Sequence, residues 1–225
     1  MAGRSVVTAA VLLAGRLALA AAFGGRMADD AKEALFRRTL AGIGAEDLAG
    51  PAAAFGRSHY SRHARADVRA RLDWHRAEGH RIVIVSASLD CYLAPVARDL
   101  DVGLVATRLA VGPDGRLTGD YDGRNCRGPE KLARVREWMA ETTDDTTGPT
   151  AITVVLWAYG NSEGDRQLLK AADVGVDVGR LGRFGSLRAF PRLSDIPDEG
   201  DALTSSAGAG GRSRAGPPGR RRRRR

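Results

Sequence analysis

Trp157-Ala158-Tyr159-Gly160-Asn161-Ser162-Glu163-Gly164-Asp165 is the stretch whose reading decides the fold. The apolar run Ala151-Ile152-Thr153-Val154-Val155-Leu156 precedes it, and the helical pattern Arg166-Gln167-Leu168-Leu169-Lys170-Ala171-Ala172 follows. A buried strand that ends in Gly and two polar or acidic groups, then turns into a helix, is one way to present metal ligands. In open α/β sheets such groups stand at the carboxyl edge of the strands, where ligands bind. The alternative reading is that Asn161 and Asp165 only cap the helix that follows them.

Outward from this stretch, the β-branched run Arg81-Ile82-Val83-Ile84-Val85 predicts a strand ending at Ser86. A helix over Ser88–Leu100, with Ser88 as its cap, and a short strand at 103–107 come next. Leu109–Tyr121 alternates around Pro113-Asp114-Gly115 and predicts a hairpin. Pro129 opens a helix over Glu130–Glu141, and a last strand falls at Val174–Val178. Upstream, helices are expected at Ala31–Leu40 with Asp29 and Asp30 as caps, at Ala45–Phe55, and at Ala66–Ala77 with Gly79 as the stop. Strands alternating with helices predict an α/β fold with a parallel sheet and right-handed crossovers. The expected division is a helical region at 1–78, an α/β core at 79–200 and a tail at 201–225.

The length of 225 residues suits one domain with a small accessory module. The net charge of +8 suggests a polyanion partner until it is located. Eight arginines lie in the last 14 residues, and without them 27 basic residues face 27 acidic ones. That tail is Ser, Ala, Gly, Pro and Arg, cannot bury enough apolar surface to offset ordering entropy, and reads as disordered. Association with nucleic acid or anionic membrane through it would be sequence-independent and salt-sensitive. Only three of the 35 basic residues are lysine: Lys32, Lys131 and Lys170. Cys91 and Cys126 form no disulfide framework and no metal-type spacing, which fits a reducing cytosol. Val6–Phe23 reads as a buried or amphipathic helix, the alternative being a signal or anchor; Arg16 interrupts it, and the uninterrupted part is short for a span of about 20 residues. His59 and His63 share helical metal-ligand spacing but read as a surface coincidence. Trp74, Trp138 and Trp157 read as packing residues.

Three pieces carry a family resemblance. Val85-Ser86-Ala87-Ser88, Gly128-Pro129-Glu130-Lys131 and Tyr159 to Asp165 resemble motifs II, III and IV of the haloacid dehalogenase superfamily, in the subfamily similar to phosphoserine phosphatase. The resemblance implies a Rossmann-like parallel sheet with a helical cap, and Mg²⁺-dependent hydrolysis of a small phosphorylated metabolite through an aspartyl-phosphate. It implies that Ser86 and the Ala87 backbone bind the phosphoryl group, with an anion facing a helix N-terminus. Lys131 would neutralise the nucleophile and the phosphoryl oxygens, an electrostatic role. Asn161 and Asp165 would hold the metal, which prefers oxygen ligands; the commonest pattern has Asp where this chain has Asn161.

One piece is absent. Motif I, Asp-x-Asp-x-Thr/Val, supplies the nucleophile and the general acid/base, and nothing before Ser86 matches it. Asp29-Asp30 lacks the spacing; Asp99-Leu100-Asp101 has it but follows motif II and ends a predicted helix. The resemblance places the motif I strand between the strand ending at Ser86 and the one before Asn161, so the sheet is expected to lack its first strand there. The simplest expectation is an inactive, truncated form with ~25 to 45 residues upstream of Met1, the size of a strand–helix unit. The alternatives are a non-catalytic phosphate-binding homologue and an anionic-polymer binder using the arginine tail.

Overall fold

The computed structural model describes residues 26–142, 154–179 and 187–196. The expectations for the N-terminal apolar segment and the arginine tail lie outside the described residues, as does the first half of the run at 151–156. Helices α1 (Arg26–Thr39), α2 (Ala45–His63) and α3 (Ala66–Ala77) come first. Then follow β1 (Val83–Leu89), α4 (Asp90–Asp99), β2 (Gly103–Thr107) and the hairpin strands β3 (Leu109–Val111) and β4 (Leu117–Tyr121). Helix α5 (Pro129–Thr142), β5 (Trp157–Gly160), a 3-10 turn (Glu163–Asp165), α6 (Arg166–Ala171) and β6 (Val174–Asp177) complete the α/β part.

Several boundaries move from their expected places for reasons of packing. α1 is already helical at Arg26, so Asp29 and Asp30 lie within it rather than capping it. α2 runs through Pro51 and Gly56 to His63, well past Phe55. Local propensity opposes this, but Leu48, Ala52 and Phe55 are buried against Leu89 and Tyr92, and that packing wins. β1 continues beyond Ser86, pairing Ser86 with Ala106 and, after an irregularity, buried Leu89 with Thr107. Ser88 therefore lies in the strand, and Leu89, not Ser88, stands at the cap of α4.

β5 begins at Trp157, after the described part of the expected run at 154–156, where Val154 and Val155 are each 43% exposed. Its start is set by the end of α6. The Asp173 carboxylate accepts the Leu156 N–H (2.8 Å), and Leu156 C=O accepts the Val174 N–H (3.1 Å). The other elements fall close to expectation: α3 and β2 match, and Gly115 turns the hairpin at φ +76°.

β1 pairs with β2 in parallel, β5 pairs with β6 in parallel, and β3–β4 is antiparallel. Among the described residues β1 and β5 do not pair with each other. The orientation of their other edges follows from strand geometry. Gly103 N–H donates to Ile82 C=O (2.8 Å), so the backbone groups of Val83 and Val85 turn away from β2. Leu156 and Gly160 carbonyls take the Val174 and Val178 N–H groups, so Trp157 and Tyr159 turn theirs away from β6. One buried cluster joins α1, α2, α4 and the hairpin through Phe36, Leu48, Phe55, Tyr92 and Leu117. A second joins Val135 of α5, Ala158 of β5 and Leu168 and Leu169 of α6, with Val85 packed against it. Trp74 and Trp157 meet at a tilt with ring centroids 5.6 Å apart, and Trp138 covers Gly103, so all three indoles pack as expected. No described helix is long and apolar enough to cross a membrane.

Candidate active site

The site gathers where β1 and β5 end. Ser86 Oγ accepts the Ser88 N–H at 3.1 Å, which shapes the chain leaving the strand toward α4. On either side of Ser86, two carbonyls receive lysines: Val85 C=O takes Lys131 Nζ at 3.1 Å, and Ala87 C=O takes Lys32 Nζ. Lys131 lies in the first turn of α5, behind Gly128 at φ +58°. The Gly128 N–H donates to Gly164 C=O at 2.9 Å and ties this turn to the one after β5. Lys131 reaches that second turn itself, pairing with Asp165 Oδ1, both side chains being about 10% exposed or less.

Asp165 is saturated with donors. Its Oδ2 accepts Asn161 N–H (3.1 Å), Ser162 N–H (3.0 Å) and Ser162 Oγ–H (2.7 Å), while Oδ1 takes Lys131. Burial by itself raises the Asp165 carboxyl; the Lys131 charge and hydrogen bond, helped by Ser162 and Asn161, outweigh it and hold the group below its usual value. Gly160 permits this closure, since a Cβ there would lie 2.5 Å from Asp165 Cβ. Asn161 is exposed at the end of β5. The donor set available to a cation is thus one exposed amide oxygen and a carboxylate whose oxygens already serve four donors. That set does not by itself make a magnesium site, and among the described residues no three His, Cys, Asp or Glu side chains gather as one.

The remaining candidates fall elsewhere. Asp99 makes an exposed ion pair with Arg57, and Asp101 has φ +51° in the turn after α4, so the Asp-x-Asp spacing there is structural. His59 and His63 lie side by side on α2, their tilted rings 4.4 Å apart between centroids. Burial pushes the Cys91 thiol up to about 12 and also raises Cys126, so neither is a reactive thiolate. Beside β5, His75 places Nε2 at 2.7 Å from Tyr159 Oη and Nδ1 at 2.8 Å from His80 Nδ1. Burial, with the nearby His80 and Arg71, lowers His75 to about 4. Nothing in the sequence spacing marks this His75–His80 pair, and the only signal for Lys32 is the rarity of lysine in this chain.

The family model for haloacid dehalogenase-like hydrolases matches residues 1–170. The chain therefore belongs to that family, as an α/β protein with parallel strand pairs flanked by helices. It is 37% identical over 143 residues to Protein CicA of Caulobacter vibrioides, covering 63% of this chain and 60% of the relative. It is 28% identical over 107 residues to a histidinol-phosphatase of Neisseria meningitidis, covering 46% of each. The chain thus spans roughly half to three-fifths of the length of these relatives. Among solved structures, a Bordetella pertussis protein of unknown function is similar at TM-score 0.55 and 23% identity, covering 76% of this chain and 74% of that one. A probable phosphoserine phosphatase from Vibrio cholerae is similar at TM-score 0.50 and 14% identity, covering 77% and 51%. At these identities the likeness is one of fold.

Proposed function

We propose that this chain is the phosphate-holding part of a phosphomonoester hydrolase acting on a small phosphorylated metabolite. One observation carries the reading. Lys131 Nζ joins Val85 C=O, next to Ser86, to Asp165 in the turn after β5, placing a buried ammonium where both parallel strand pairs end. A phosphoryl group seated on the Ser86 hydroxyl and the backbone N–H groups entering α4 would lie against that charge. The histidinol-phosphatase relative supports a phosphate ester as the substrate class.

The same geometry supports an inactive state for these 225 residues. Covalent phosphoryl transfer in this family needs a carboxylate nucleophile. The sequence ahead of Ser86 offers no Asp-x-Asp stretch, and the other edges of β1 and β5 have no strand between them among the described residues. Magnesium enters the reading only with carboxylates added there, since Asn161 and Asp165 do not suffice. A phosphate cradle without a nucleophile is also a binding site, and the pre-formed Lys131–Asp165 pair favours that as the second reading.

The test is hydrolysis of a generic aryl phosphate with Mg²⁺. No turnover is expected from residues 1–225, and turnover is expected when an apolar strand ending in Asp-x-Asp-Gly-Thr is fused ahead of Met1. Turnover by the 225-residue chain, abolished in Lys131→Ala, would overturn the account of the missing nucleophile.

A further inference from the structure

We infer that Lys32 is a second anion-binding group of the substrate site, delivered by α1 to the opposite side of Ser86 from Lys131. The inference rests on the phosphate-holding role proposed for Ser86 and Lys131. Two of the three lysines in the chain converge on carbonyls two residues apart, Val85 and Ala87, while the third, Lys170, is exposed on α6. Both converging lysines are buried, Lys32 at 5% and Lys131 at 7% exposure. In a chain with 35 basic residues, nearly all arginine, lysine at both places selects a compact point charge over a planar fork.

The placement of Lys32 is built by α1 and the hairpin. Phe36, one turn further along the same face, is fully buried. Gly119 on β4 lets the helix approach so closely that a Cβ there would lie 2.5 Å from Arg37 Cα. Arg37 pairs with Asp120, and the Phe36 and Tyr121 rings meet edge-on at 6.1 Å. These contacts fix the rotation of α1, so Lys32 Nζ passes 5.8 Å from the Phe36 ring and 6.0 Å from the Tyr121 ring before reaching Ala87. Burying an ammonium costs stability that an aliphatic residue would spare. The buried charge is held next to the residue proposed to take the phosphoryl group, where an anionic ligand would meet it. Lys32 therefore reads either an oxygen of the phosphoryl group or a second acid on the same small substrate.

Calorimetric titration of the 225-residue protein with inorganic phosphate and with 3-phosphoglycerate, which adds a carboxylate, tests this. Lys32→Met keeps the aliphatic stem against Phe36, and its folding is checked by its melting curve; Lys32→Arg restores charge. Loss of one charge-assisted contact predicts roughly tenfold weaker binding in Lys32→Met, with partial rescue in Lys32→Arg and none of the change in Lys170→Ala. Equal weakening for both ligands assigns Lys32 to the phosphoryl group; weakening for 3-phosphoglycerate alone assigns it to the second acid. Unchanged binding of both by Lys32→Met, with a loss in Lys131→Met, overturns the inference and leaves the phosphate site standing. Absence of phosphate binding by the wild-type chain overturns both.

Discussion

The two turns that build the site are held in opposite ways. The turn after β5 is organised from within: Asp165 gathers the Asn161 and Ser162 N–H groups and the Ser162 hydroxyl, then takes Lys131. The end of β1 has one local bond, Ser88 N–H to Ser86 Oγ, and is otherwise tied from outside, by a lysine of α5 on Val85 and a lysine of α1 on Ala87. The first turn keeps its shape as a local motif; the second depends on two distant helices being in place. A ligand that engages the β1 end therefore senses the position of α1 and α5, whereas the β5 turn acts as their fixed reference.

Breaking the reference costs most. Asp165→Ala removes the carboxylate that gathers the donors of the β5 turn and leaves Lys131 buried without its ionic partner, and is expected to lower stability by about 3–5 kcal/mol in urea unfolding. A loss below about 1 kcal/mol would show that the two turns do not differ as described.

Acid should strain the α3 side of β5 next. His75 sits near 4 in the folded chain against 6.5 when unfolded, so between those values the unfolded state binds the proton that the folded state refuses. Stability is full above pH 6.5, falls on acidification toward pH 4 and levels below it. The expected fall is about 2 kcal/mol, the pKa displacement being reduced by solvent screening at the ring. His75→Gln should flatten that slope; an unchanged profile would remove His75 as its source.

Ser162→Ala tests the inner turn more gently. It removes one of four donors to Asp165 and is expected to cost about 1 kcal/mol, with the Lys131 pair intact. Smallest of all is Arg57→Ala, which deletes an exposed ion pair with Asp99 and should leave the urea midpoint where it was.

The same contrast explains what the sequence made legible. α3 and β2 carry uninterrupted patterns and clear stops, so they were readable. Ser86, Lys131, Asn161 and Asp165 were found because each stands at a strand end or helix start within a spaced motif. The role of Asp165 as the acceptor of four donors depends on burial, which spacing does not encode. β1 ran on past Ser86 because Leu89 finds Thr107 across the sheet, and α2 ran on past Phe55 because α4 covers it; both are tertiary effects. Lys32 lay hidden for the same reason, since the contact joins residues 55 positions apart.

Gly56 in α2 has a consequence at the level of the gene. A methyl group there would sit 1.9 Å from the Tyr92 carbonyl oxygen, inside the crossing of α2 and α4. Glycine and alanine codons differ by one nucleotide, and alanine abounds on the same helix at positions 45, 49, 52, 53 and 54. The alanine that the helix carries at those codons would therefore wedge two helices apart at this one. Among related coding sequences, codon 56 should hold glycine while its neighbours wander.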